Sequence, residues 1–195
     1  MTKLKSVGLA IALCFFATGE SRADLILSLS STTPDLTQIQ IGDTVQSNVA
    51  LSGLNAVSDT LDFLAADVKF EASLFGTPVT LTPGPILVDL TGVSSGTSPG
   101  LANLNYDDLF ATTNAPILTN GLFFSFTVVA QAEGSGTVFF NFTDASLNGA
   151  GATPTPMNTL SFTIQPVRIV PEPSAFLLCV IGAGATWAIR RVGFA

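Results

Sequence analysis

The feature that most constrains this chain is a two-residue rhythm of apolar side chains, repeated in short runs between residues 25 and 164. In GLFFSFTVVAQA (Gly121–Ala132), Phe124, Phe126 and Val128 fall on one face. In TVFFNFT the same face carries Val138, Phe140 and Phe142, and in TLSFTI it carries Leu160, Phe162 and Ile164. Successive side chains of a strand point to opposite faces, so this rhythm describes strands with one buried side. LILSLSS aligns Leu25, Leu27 and Leu29, and IGDTVQSNVALSGL aligns Val45, Val49 and Leu51, with Ser47 as the polar exception. TLDFLAADVKF begins with Leu61 and Phe63 on one face and ends with Val68 and Phe70 on the other. That change of phase calls for a bulge or for burial on both faces.

Turn chemistry separates these runs. EGSG (133–136) and NGAGATPTP (148–156) divide the last three, and PVTLT and PILVDL each open on the proline that suits a strand start or edge. TGVSSGTSPG (Thr91–Gly100) reads as a flexible loop, and LNYDDLF (Leu104–Phe110) as either a helical turn or a short strand. Helix formers on a helical period are missing between the two ends of the chain. Eight or nine short strands and no internal helix predict an all-β sandwich.

The residue inventory removes most chemistry. The chain has no histidine, and its two cysteines, Cys14 and Cys179, lie in terminal apolar runs. The central domain therefore lacks the commonest general base, a disulfide framework, a cysteine metal site and a thiol nucleophile. Between Asp24 and Ile169, two basic side chains, Lys69 and Arg168, face twelve acidic ones. Such a surface repels phosphate backbones and anionic lipid, so no nucleic acid is expected as a partner. No catalytic residue, metal or cofactor is expected.

Four local patterns invite a chemical reading. Asp107-Asp108 could pair as glycosidase carboxylates, but neighbours on a strand point apart and cannot flank one bond. A solvated acidic loop is the simpler account. DASLNG (Asp144–Gly149) has oxygen-bearing side chains at positions 1, 3 and 5 and glycine at 6, like the start of a calcium loop. Its twelfth position is Thr155 and no helices flank it, so it reads as a hairpin loop, with incidental calcium binding as the alternative. Asn141-Phe142-Thr143 is a glycosylation sequon inside an expected strand. A sugar platform needs an exposed aromatic; the domain offers only Tyr106 besides phenylalanines expected to face the core.

Both ends carry processing signals. Lys3 and Lys5 precede the apolar segment Val7–Thr18, and Ser21 and Ala23 occupy small-residue positions before Asp24. This is the pattern of a secretory signal peptide cleaved by signal peptidase between Ala23 and Asp24. At the other end, Val170-Pro171-Glu172-Pro173-Ser174 precedes an apolar run, Ala175–Ile189, and then Arg190-Arg191. The prolines keep the peptide extended, the apolar run can enter a bilayer, and the arginines hold its end at the cytoplasmic side. The run has 15 residues, below the roughly 20 of a comfortable span, which snorkelling or local thinning would offset. The chain thus divides into a signal peptide (1–23), a β-sandwich (24–169) and a C-terminal sorting segment (170–195) with a transmembrane helix at about 175–189.

The C-terminal segment resembles the PEP-CTERM sorting signal, whose three parts occur here in order. VGFA follows the arginines where many members end on a more basic cluster. The resemblance implies export by a Gram-negative bacterium that makes extracellular polysaccharide. It also implies passage through the inner membrane and processing by an exosortase, with a final place in the envelope or outside the cell. Residues 24–165 more loosely resemble the cohesin-like domain, a jelly-roll sandwich of about nine strands. That likeness rests on IQIGDTVQSNVALSGL, TLDFLAADVKFEASLFG and GLFFSFTVVAQAEGSGTVFFNFTDASL. It implies an adhesive or scaffolding role; the cohesin's own partner does not carry over, and extracellular polysaccharide or another surface protein is the expected partner. A carbohydrate-binding module for extracellular polysaccharide is the alternative.

Overall fold

The computed structural model describes residues 24–113, 115–166 and 179–181. Twelve strands form: β1 (Ile26–Ser31), β2 (Ile39–Gln40), β3 (Thr44–Ser52), β4 (Leu61–Lys69), β5 (Thr80–Pro83) and β6 (Val93–Ser98), followed by β7 (Leu101–Asp107), β8 (Gly121–Val129), β9 (Gly134–Leu147), β10 (Ala150–Ala152), β11 (Thr155–Pro156) and β12 (Leu160–Gln165). They make two sheets. The first runs β11-β1-β3-β8-β5; the second runs β2-β12-β9-β4-β7-β6, with β10 also paired to β9. The all-β sandwich expected from the alternation is the observed architecture. The signal-peptide and transmembrane helices lie outside the described residues, except that 179–181 are helical.

The alternation places the core as expected for most strands. Leu25, Leu27, Leu29, Val45, Val49, Leu51, Phe126, Val128, Phe162 and Ile164 are all buried, and Ser47 is buried among them. Phe70 stacks on Phe126 at 5.8 Å and meets Phe75 edge-on at 6.1 Å, and Phe75 touches Phe162 at 4.5 Å. This aromatic chain joins the two sheets, each contact adding about 0.5–1.5 kcal/mol beyond its buried area.

Bulges account for the changes of phase. In β4 the register with β9 slips between Leu61 and Phe63, so Leu61 and Leu64 both enter the core while Phe63 turns outward. In β8 the register with β3 slips beside Phe123, and Phe123 and Phe124 are both buried. In β9 it slips at Asn141, between Phe140 and Phe142. Val138 and Phe140 therefore pack on the core, but Phe142, expected inside, is 50% exposed. An extra residue reverses the parity of every side chain beyond it.

Three further segments depart from expectation. Within TGVSSGTSPG, Val93–Ser98 is the edge strand β6; none of its side chains is buried, so no apolar pattern announces it. PILVDL is not a strand: Ile86 and Leu87 are adjacent and both buried, and Leu90–Gly92 forms a 3-10 turn. EASLFG contains one helical turn, α1 (Ala72–Phe75), which buries Leu74 and Phe75. LNYDDLF combines both readings, ending β7 and continuing into a 3-10 turn at Asp108–Phe110. The strand count exceeds nine because β2, β10 and β11 are only two or three residues long.

Candidate functional site

The chemical readings of the sequence resolve first. Asp107 ends β7 and its Oδ1 accepts from Leu109 N at 3.0 Å, capping the second 3-10 turn. Asp108 begins that turn; burial pushes its carboxyl above the usual carboxylate range, and the charges of Asp62 and Asp107 add to this. Asp62 in turn accepts from Gly149 N at 2.8 Å. The carboxylates thus serve turns and strand ends.

DASLNG is a hairpin. Asn148 (φ 52°) and Gly149 (φ 72°) join β9 to β10, and positive φ at both central residues is the type I′ geometry that favours Asn-Gly. Asn148 Oδ1 accepts from the Thr60 amide and hydroxyl at 2.8 and 3.0 Å. Asp144 Oδ1 accepts from Ala145 N at 2.9 Å. Among the described residues no cluster of acidic, histidine or cysteine side chains could hold a metal ion. Asn141 of the sequon is exposed in the β9 bulge. Tyr106 is fully buried, donating its hydroxyl to the Ala115 carbonyl, so it offers no sugar platform.

Of the processing residues, Asp24 is described: it is exposed and lies just before β1. Ser21, Ala23, Val170, Pro171, Glu172, Pro173, Arg190 and Arg191 lie outside the described residues.

What the structure assembles instead is an open face on the second sheet. The β9-β4-β7-β6 register lines up four cross-strand rows. Phe139 lies beside Lys69, Leu101 and Ser98; Phe142 beside Asp67, Asn103 and Gly96; Asp144 beside Ala65, Asn105 and Ser94; and Ser146 beside Phe63 and Asp107. Strands about 4.8 Å apart rising about 3.3 Å per residue give this face roughly 19 by 23 Å in plan. Ala65 points outward on the central strand, but its longer neighbours leave it only 2% exposed. The surface is mixed: Asp67, Ala65, Asn103 and Asn105 lie at the centre, Phe139 and Phe142 along the β9 side, Lys69 in one end row and Phe63 in the other. Sequence reasoning missed it because the Asn141 bulge, invisible in the pattern, brings Phe142 out.

This two-sheet arrangement has known counterparts. One is the cohesin of a type I cohesin–dockerin complex from Clostridium thermocellum, with a TM-score of 0.59, 14% identity, and coverage of 74% of this chain and 97% of that one. The fold is that of a cohesin module. A cohesin of scaffoldin B from Acetivibrio cellulolyticus, solved with a dockerin, superposes with a TM-score of 0.58 at 14% identity, covering 73% and 100%. A cohesin module of a family 33 glycoside hydrolase from Clostridium perfringens gives 0.56 at 11%, covering 74% and 98%. No protein-family model matches the sequence, and no curated protein does. The cohesin-like architecture expected for residues 24–165 is thus observed, while identities this low leave the partner to be argued from the surface itself.

Proposed function

We propose that this chain is an exported, non-enzymatic cohesin-like module that holds another surface protein on the open β9-β4-β7-β6 face. The observation that carries the reading is the exposure of Phe139 and Phe142 at the side of a largely polar sheet face. Aromatic anchors surrounded by amides are the composition of a protein-binding surface, where a few such residues dominate the binding energy. The cohesins of similar fold from C. thermocellum and A. cellulolyticus were solved with dockerins bound, which supports a protein as the occupant.

The terminal signals complete the proposal. The signal peptide ending at Ala23 exports the chain, and Val170–Pro173, the apolar run and Arg190-Arg191 hold it at the inner membrane for an exosortase. The mature module then works in the envelope or the extracellular polysaccharide.

A photo-crosslinking residue at Asn103, in the centre of the face, tests the surface in the expressing host. A discrete protein adduct is expected, absent when the crosslinker is moved to Ser125 on the outer side of the other sheet, and lost on Phe142→Asp. Adducts to polysaccharide alone would favour the carbohydrate-binding alternative, and equal adducts from both positions would refute a dedicated face.

A further inference from the structure

The two 3-10 turns lie together at the end of the sandwich where β7 and β9 finish. Each is capped by its own aspartate: Asp89 Oδ1 accepts from Thr91 N at 2.8 Å, and Asp107 caps the other. Between the turns, the Asp89 carboxylate is tied down by five hydrogen bonds. Oδ1 takes the Thr91 amide and hydroxyl; Oδ2 takes the Thr112 hydroxyl and the Thr113 amide and hydroxyl, all at 2.7–3.0 Å. The Thr112 amide donates to the Thr91 hydroxyl at 3.0 Å. Gly92 permits the close approach, since a Cβ there would lie 2.5 Å from the Asp107 carbonyl oxygen. The two turns are one fixed piece.

That piece holds apolar side chains in water. Val88, Leu90, Leu109 and Phe110 are 75%, 59%, 80% and 70% exposed. A pair of turns needed only to connect strands would be served by polar residues. Contiguous exposed apolar residues rimmed by polar ones mark an interaction site, and a fixed presentation lowers the ordering cost of binding. The rim is acidic: Asp107 and Asp108 belong to the second turn, and Asp62 lies close enough to act on Asp108. Lys69, the one basic side chain among the described residues, stands at the other end of β4 from Asp62, about 23 Å away along the strand.

We propose that this tip is a second docking surface, which seats Leu109, Phe110 and Leu90 in an apolar cleft bordered by lysine or arginine on a partner protein. Charge decides the occupant. A second copy placed tip to tip would set carboxylates against carboxylates, and a phosphate backbone or anionic lipid would meet the same repulsion. A basic rim neutralises Asp62, Asp107 and Asp108 while its cleft covers the apolar centre. The site adjoins the open sheet face, sharing Asp107 with its last row, but its apolar centre lies outside that face and does not depend on the face binding anything.

The probe is a short amphipathic peptide of leucine and lysine, with its leucine–glutamate counterpart as control, titrated into isotope-labelled protein recovered from the expressing host. Saturable shifts in the amide resonances of Leu90, Leu109 and Phe110 are expected for the lysine peptide alone, weakening as salt is raised. Leu109→Ser with Phe110→Ser should reduce affinity about tenfold or more, as loss of interface anchors does. The melting temperature should not change, because both side chains are already in water. Absence of saturable shifts, equal binding of the glutamate peptide, unchanged affinity of the serine variant, or shifts centred on Phe139 and Phe142 would overturn the proposal. Concentration-dependent self-association abolished by the same variant would overturn the choice of a heterologous partner.

Discussion

The bulges in β8 and β9 make a prediction that runs against the plain two-residue pattern. Strict alternation puts Phe142 in the core and Phe123 outside; the structure reverses both. Phe123 is fully buried, its ring 5.4 Å from Phe124 in an edge-to-face contact. Truncating it removes the whole transfer energy of a phenyl group and leaves a cavity, about 3–5 kcal/mol. Phe142 is 50% exposed, so Phe142→Ala forfeits about half of the roughly 1.5–3 kcal/mol for full burial, near 1 kcal/mol. With a urea slope of about 2 kcal/mol/M, the midpoint falls by roughly 1.5–2.5 M for Phe123→Ala and about 0.5 M for Phe142→Ala. Domains are commonly stable by only about 5–15 kcal/mol, so Phe123→Leu serves as a milder probe if the alanine variant does not fold. Urea unfolding of both variants, followed by fluorescence and by circular dichroism, measures the difference. Equal shifts, or a larger one for Phe142→Ala, would refute the bulge assignments and with them the exposed aromatic edge of the candidate face.

Two other outcomes are expected. Hydrogen bonds from the Thr91 side chain, the Thr91 backbone and the Thr113 side chain hold the Asp89 carboxyl well below the usual carboxylate range. Its stabilisation is therefore fully present above the ordinary aspartate pKa of about 3.9 and is lost as pH falls below that value. Asp89→Asn, which turns an amide donor toward donors, should lower the melting temperature at pH 7, with the difference shrinking as pH falls below about 4; a pH-independent difference would show that the charge is not responsible. For the sorting segment, intact mass should run from Asp24 to near Pro173 in a host with its exosortase, and from Asp24 to Ala195, confined to membranes, once Pro171, Glu172 and Pro173 are alanines; unchanged mass and location would sink the sorting reading.

Legibility in the sequence followed the physics of burial. Where a strand is wet on one side and unbroken, as in β1, β3 and β12, alternation alone places Leu27, Val49 and Phe162 in the core, because parity is the only variable. A bulge changes that parity with one residue and no compositional marker: Asn141 and Asp62 are ordinary strand-surface residues until the partner strand shows that they are extra. The edge strand β6 was hidden for the opposite reason, since a strand with no buried side chain has no apolar rhythm to display. PILVDL misled because consecutive apolar residues fit a strand buried on both faces and a chain end-capping the core equally well. The Asn-Gly turn was legible because its conformation is set by the two residues that form it. The open face was not, because a surface of four strands exists only once their registers are known.

The register also orders the two proposed surfaces along the molecule. Ile164 of β12 pairs with Gly134 at the start of β9, whereas Leu61, at the tip end of β4, pairs with Leu147 at its finish. The thirteen residue steps between those positions correspond to about 43 Å of strand. A module held through the segment that follows β12 therefore carries its acid-rimmed tip at the far end and its aromatic sheet face along the flank. The tip lies at the end of the sandwich remote from the β12 terminus and the flank runs between the two, the surfaces meeting at Asp107. Taken together, the two proposed surfaces give one sandwich a place for each of two different proteins, which is what a scaffold requires.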